Sequence, residues 1–129
     1  MQFLLLVYVD PALMQALPEG KADAMMRDCL GHADAMKREG SILDFQQLEE
    51  ATTARTVRSR GGRVSVTDGP FAEAREVLGG FNLIEAENMD EAVRMAMEFP
   101  WTVTGSIEVR PVRDIGAVRR RVNVPAPTD

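Results

Sequence analysis

Apolar residues recur along the chain with two different periods, and the switches between them mark out the elements. From Gln2 to Val9 both alternating sets are apolar, Phe3/Leu5/Val7/Val9 on one and Leu4/Leu6/Tyr8 on the other. A strand of that kind is covered on both faces and belongs in the middle of its sheet. From Pro18 to about Glu39 the period lengthens: Ala22, Met25, Met26, Cys29, Leu30, Ala33 and Met36 fall at helical spacing, and Gly40 supplies a stop. Ser41 to Leu48 reads as a strand with a polar far end, suited to a sheet edge. Arg55–Arg58 and Arg63–Thr67 flank Gly61-Gly62, the punctuation of a hairpin packed through Val57, Val64 and Val66. Phe81 to Ala86 is a further strand, with Phe81 and Leu83 on one face and Ile84 on the other.

Asn88, followed three residues later by Glu91, opens a second helix in the manner of a capping box. Ala92, Val93 and Ala96 form its inward stripe and Pro100 ends it. Gly105 to Val112 closes the domain as a last strand. The order β-α-β, hairpin, β-α-β predicts an α+β fold: a ferredoxin-like antiparallel sheet with two helices on one face and an inserted β-hairpin. Two helices cover only one face, yet the central strand is apolar on both. A second copy is the simplest cover, so the pattern predicts a face-to-face homodimer. The domain is expected over residues 1–112. Residues 113–129, with Arg119-Arg120-Arg121 and Pro125-Ala126-Pro127, read as a basic, proline-containing tail, extended and partly mobile.

Composition changes this picture in three places. The 129 residues, 45% hydrophobic, suffice for one core without metals or disulfides, and the single cysteine, Cys29, falls on the first helix stripe as packing. An unpaired cysteine and the lack of a bilayer-length apolar run or a basic leader point to a soluble, cytoplasmic protein with no membrane association. The formal net charge is −5, and its acidic weight lies in the body rather than the tail, which argues against nucleic-acid binding.

The most distinctive run is Thr67-Asp68-Gly69-Pro70-Phe71-Ala72-Glu73-Ala74-Arg75-Glu76-Val77-Leu78-Gly79-Gly80-Phe81. Asp68-Gly69-Pro70 is a turn in which the aspartate can accept backbone N–H bonds, the glycine allows unusual dihedrals and the proline fixes φ. Gly79-Gly80 lets the backbone pass closely before the next strand. This run resembles the signature of the DGPF subgroup of the YCII-related family, and the resemblance extends from Leu4-Leu5-Leu6-Val7-Tyr8 to Gly105-Ser106-Ile107-Glu108-Val109-Arg110-Pro111-Val112. It implies the dimeric α/β-barrel architecture and a candidate pocket, but no single reaction.

His32 is the only histidine. With Met25 as the origin it falls at about −20° on the helical wheel, at the margin of the apolar stripe, where a pocket lip would lie. Asp28, one turn earlier, could hold the ring. The resemblance instead implies a dyad of a helix histidine with an aspartate elsewhere, matched by His32 and Asp68, and such a pair would serve as general acid and base. Arg55, Arg58, Arg60 and Arg63 form a stretch without acids. Of these, Arg58 is the best anion anchor, although a solvated hairpin is the plainer reading. Tyr8 could place its hydroxyl in the same cleft, and Glu73 could line it. Glu73 with Glu76 is too sparse a pair for a metal site, and no phosphate loop, serine elbow or paired cysteines are present.

Two readings follow, neither calling for a metal or cofactor. One is a cofactor-independent acid–base enzyme, of isomerase or lyase type, acting on a small anionic or aromatic metabolite with His32 as proton carrier, Asp68 as its orienter, Arg58 as anchor and Tyr8 and Glu73 in the pocket. The other is a sensing or interaction module that binds without turnover. DGPF-type proteins resemble partners of sigma factors in gene context, which the second reading would fit.

Overall fold

A four-stranded antiparallel sheet forms around β1 (Gln2–Val9), which hydrogen-bonds on one side to β5 (Val77–Glu85) and on the other to β6 (Gly105–Pro111). The edge beyond β5 is taken by β2 (Ile42–Gln47), giving the order β2-β5-β1-β6. The structure, a computed structural model, describes residues 1–70 and 74–128. Among them are four helices: α1 (Pro11–Gln15), α2 (Lys21–Glu39), α3 (Met89–Met97) and α4 (Ile115–Val122). The remaining strands, β3 (Arg55–Arg60) and β4 (Arg63–Asp68), pair only with each other as a separate ribbon. The protein is thus a mixed α+β fold with an open sheet and no closed barrel. No helix among the described residues is long and apolar enough to cross a membrane.

The alternation read along β1 decides where the core lies. Phe3, Leu5 and Val7 are buried against Met25, Cys29, Ala33 and Met36 of α2 and Ala92 and Ala96 of α3, together with Ile42, Ile84, Phe99 and Trp101. Both long helices therefore lie on one face of the sheet. On the other face Leu4 stands opposite Leu83 and Leu6 opposite Phe81, and all four are only half-buried.

Several boundaries differ from the sequence reading, each for a local reason. α1 was not expected. It is a short helix held by Asp10, whose carboxylate accepts from the Ala12 N–H at 2.9 Å, with Pro11 preset for a first helical turn. β5 starts at Val77, so the glycine pair lies inside the strand rather than before it. The register steps from Val7↔Gly80 to Tyr8↔Leu78, which leaves Gly79 as the extra residue of a β-bulge. A Cβ on Gly80 would stand 2.7 Å from the Gln46 carbonyl oxygen, so the close approach expected of this pair is real. The segment after β6 is not extended throughout: Asp114 caps α4 by accepting from the Ala117 N–H at 3.1 Å, and Asn123 ends it in the left-handed region.

The turn at Asp68 differs in its bonding. Gly69 adopts the positive φ expected of it, +98°, and donates to the Ala54 carbonyl at 2.7 Å. The Asp68 carboxylate, however, accepts no backbone N–H among the described residues. Its partner is the Arg55 guanidinium at 3.6 Å, in an ion pair open to solvent.

Candidate functional site

A cavity of about 680 Å³ opens between the sheet and the start of the helical layer, within the size range of small-molecule sites. Its floor is the bulged part of β5, Val77 to Asn82, beside Val7 and Val9 of β1. One wall is α1 and α2, through Pro11, Met14, Met26 and Cys29. The other is the end of β2 and the chain leading to the ribbon, Phe45 to Thr52, and Trp101 closes the back. The bulge makes this space, because inserting Gly79 bends β5 and the glycine pair leaves the middle of the floor without side chains.

Polar groups in the lining fall into two sets. Two donors are turned onto sulfur: the Trp101 indole N–H donates to Cys29 Sγ at 3.2 Å, and Gln47 Nε2 to Met26 Sδ at 3.0 Å. Burial pushes the Cys29 thiol pKa up, against the smaller downward pull of the Trp101 N–H, so the thiol is neutral and a poor nucleophile. Asn82 differs. It lies in the middle of β5 on the helix-facing side with Gly80 and Ile84, is 7% exposed, and its carboxamide has no hydrogen-bond partner among the described residues. The charged lining residues are Glu49 and Glu50; no lysine, arginine or histidine is among the described lining residues.

The residues singled out in the sequence are dispersed. His32 sits on α2 outside the cavity lining, about one-third exposed, with Nε2 3.0 Å from Glu98 Oε2 and its ring edge-on to Phe99 at 5.2 Å. Its partner is therefore Glu98, neither Asp28 nor Asp68. Asp68 ends the ribbon strand β4, with Arg55 as its partner. Arg58 is half-buried on β3, opposite Ser65. Tyr8 faces the helix-free side, where its hydroxyl donates to Glu108 Oε1 at 3.1 Å and Arg110 Nε donates to Glu108 Oε2 at 2.6 Å. Burial first, then that bond, raises the Tyr8 pKa. Glu73 lies outside the described residues. No hydrogen bond, ion pair or ring contact joins His32, Asp68 and Tyr8 to one another, and no group of three or more histidine, cysteine or acidic residues that could hold a metal occurs among the described residues.

Asn82 was passed over in the sequence although a signal was present. In Phe81-Asn82-Leu83-Ile84 it is a lone polar residue sharing a strand face with Ile84, and a polar group on a core face demands a partner.

The family model for the YCII-related domain matches residues 1–116, and the chain belongs to the YCII-related family. It is also 34% identical over 114 residues to a Rhizobium meliloti (strain 1021) protein named "Uncharacterized protein R00369", a match covering 87% of this chain and 92% of that protein.

Proposed function

We propose that this chain is a small-molecule-binding member of the YCII-related family, and that it holds a mostly apolar ligand in the cavity between α2 and the sheet. The observation that carries this is the cavity itself: about 680 Å³, walled by Val7, Val9, Met14, Met26 and Trp101. Binding without turnover is favoured over acid–base catalysis because His32, Asp68 and Tyr8 stand outside the described lining, and the Cys29 thiol within it is held neutral. A sensing role follows more directly than an isomerase or lyase role. Asp68-Gly69-Pro70-Phe71 supports placement in the DGPF subgroup. The strand order β2-β5-β1-β6, with both long helices on one face, supports a ferredoxin-like topology. A homodimer through the helix-free face is part of the same proposal.

Titration with Nile red, a neutral dye whose emission shifts in apolar surroundings, tests the reading. Saturable binding of one dye per chain is expected, lost in Met26→Trp, which fills the cavity while keeping the wild-type circular dichroism. An unsaturable signal, or one that survives Met26→Trp, would overturn it.

A further inference from the structure

We propose that Asn82 is the polar anchor of the cavity and selects neutral ligands that carry a carboxamide-type donor–acceptor pair, such as a primary amide or lactam, on an apolar body. The inference rests on the binding reading above and deepens it.

Three features of the lining lead to it. Asn82 is more than nine-tenths buried in the middle of a strand and no described hydrogen bond engages its carboxamide, which is not among the sealed polar atoms and so opens on the cavity it lines. A buried amide offers two N–H donors and a carbonyl acceptor, and leaving both kinds unmet is unfavourable unless something enters the cavity to meet them. The other buried donor there, Trp101 Nε1, is already engaged by Cys29 sulfur, and the exposed Gln47 Nε2 is turned onto Met26 sulfur. Gln15, Gln46, Gln47 and Thr52 of the lining are exposed to water, so Asn82 is the buried carboxamide of the described lining. A ligand amide answers its donor and its acceptor at once through two parallel bonds, whereas an ether or ketone answers only the donor.

Charge then narrows the class. Glu49 and Glu50 are the ionised groups of the described lining, with no cation among those residues to balance a bound anion. A carboxylate ligand would lose its hydration and meet no cation in the described lining, only N–H groups such as those of Asn82. The glutamates lie at the exposed rim, where water screens their pull on a cation, so the buried carboxamide, not the rim, sets the preference. This departs from the anionic metabolite that the arginine stretch suggested: Arg58 is on the ribbon and not in the described lining.

The experiment displaces Nile red with four probes that share one ring: indole-3-acetamide, indole-3-acetate, tryptamine and 3-methylindole. In the wild type the amide is expected to bind about tenfold more tightly than 3-methylindole, the size of effect that hydrogen bonds in a dry site supply, and ahead of both charged probes. In Asn82→Leu, matched in branching and fully apolar, the amide should fall to the level of 3-methylindole, whose own binding holds or improves. If Asn82→Leu does not fold, Asn82→Ala, which also removes both donor and acceptor, supplies the same comparison. A wild type that ranks the amide level with 3-methylindole, or tryptamine above the amide, overturns the inference, as does an amide preference that survives in the variant. In each case dye binding itself stays intact, so the cavity reading survives; loss of saturable dye binding in the wild type ends both.

Discussion

Glu108 stands between two unlike partners. The Arg110 guanidinium is the larger influence on its carboxylate and the Tyr8 hydroxyl the second, and together they hold its pKa below the usual carboxylate range. Arg110 in turn is raised by Glu108. A carboxyl group that titrates lower in the fold than in the unfolded chain contributes stability above the unfolded pKa of about 4.3, and that contribution is lost as pH falls through the folded value. Tyr8 acts at the other end: its raised pKa means the fold favours the neutral phenol, a benefit present below about pH 10 and lost as pH rises through the folded value. Glu108→Gln should therefore shrink the difference in urea midpoint between pH 7 and pH 3 and leave cavity binding untouched. An unchanged difference would mean that water already screens the pair completely. None of this was legible in the sequence, since Tyr8 and Glu108 are 100 positions apart and meet only because β1 and β6 are neighbours. His32 shows the same limit, because helix spacing offered Asp28 while tertiary packing brought Glu98.

At the scale of elements, sequence patterns were most reliable where burial enforced them. β1, α2 and α3 were read from their apolar stripes, and Phe3, Leu5, Val7, Met25, Cys29, Ala33, Met36, Ala92 and Ala96 of those stripes lie in the core, whereas Leu30 is exposed. The elements that patterns missed or misplaced are ones that burial does not control. α1 has five residues, none of them buried, and is held by its Asp10 cap; the start of β5 was obscured because a bulge and a terminating turn both use glycine. α4 also has no buried residue. It is held by the Asp114 cap, by arginines in its last turn where the helix dipole favours cations, and by an Arg119 bond to the Pro125 carbonyl at 2.9 Å. Such a helix contributes little to the core beneath it. Truncation after Arg113 retains the Val112 N–H bond to the Gln2 carbonyl that closes the sheet, and should move the melting temperature by no more than about 2 °C. A larger drop in differential scanning calorimetry would show that α4 packs against a second chain.

For the whole molecule, assembly turns on the helix-free face of the sheet. Its centre is the cross-strand block of Leu4 with Leu83 and Leu6 with Phe81. Around that block lie Ser106, Glu108 and Arg110 on β6 and Gln46 on β2, so an apolar centre is ringed by polar groups, the usual anatomy of a protein interface. Neither long helix lies on this face, while the opposite face carries both. Pairing two such faces would bury the block on each chain, and a two-fold interface needs only one self-complementary patch. The proposed homodimer should therefore sediment as two chains at micromolar concentration. Leu6→Lys, placing a charge at the centre of the block, should shift it to monomer by at least tenfold in dissociation constant, since an unpaired charge buried at an interface costs far more than the leucine contributes. Nile red binding should persist in that variant, because the cavity lies on the helical side and takes none of its described lining from Leu6. A wild type that sediments as one chain, or a Leu6→Lys dimer indistinguishable from wild type, would remove the face-to-face arrangement and leave Leu4, Leu6, Phe81 and Leu83 as an apolar surface without an assigned partner.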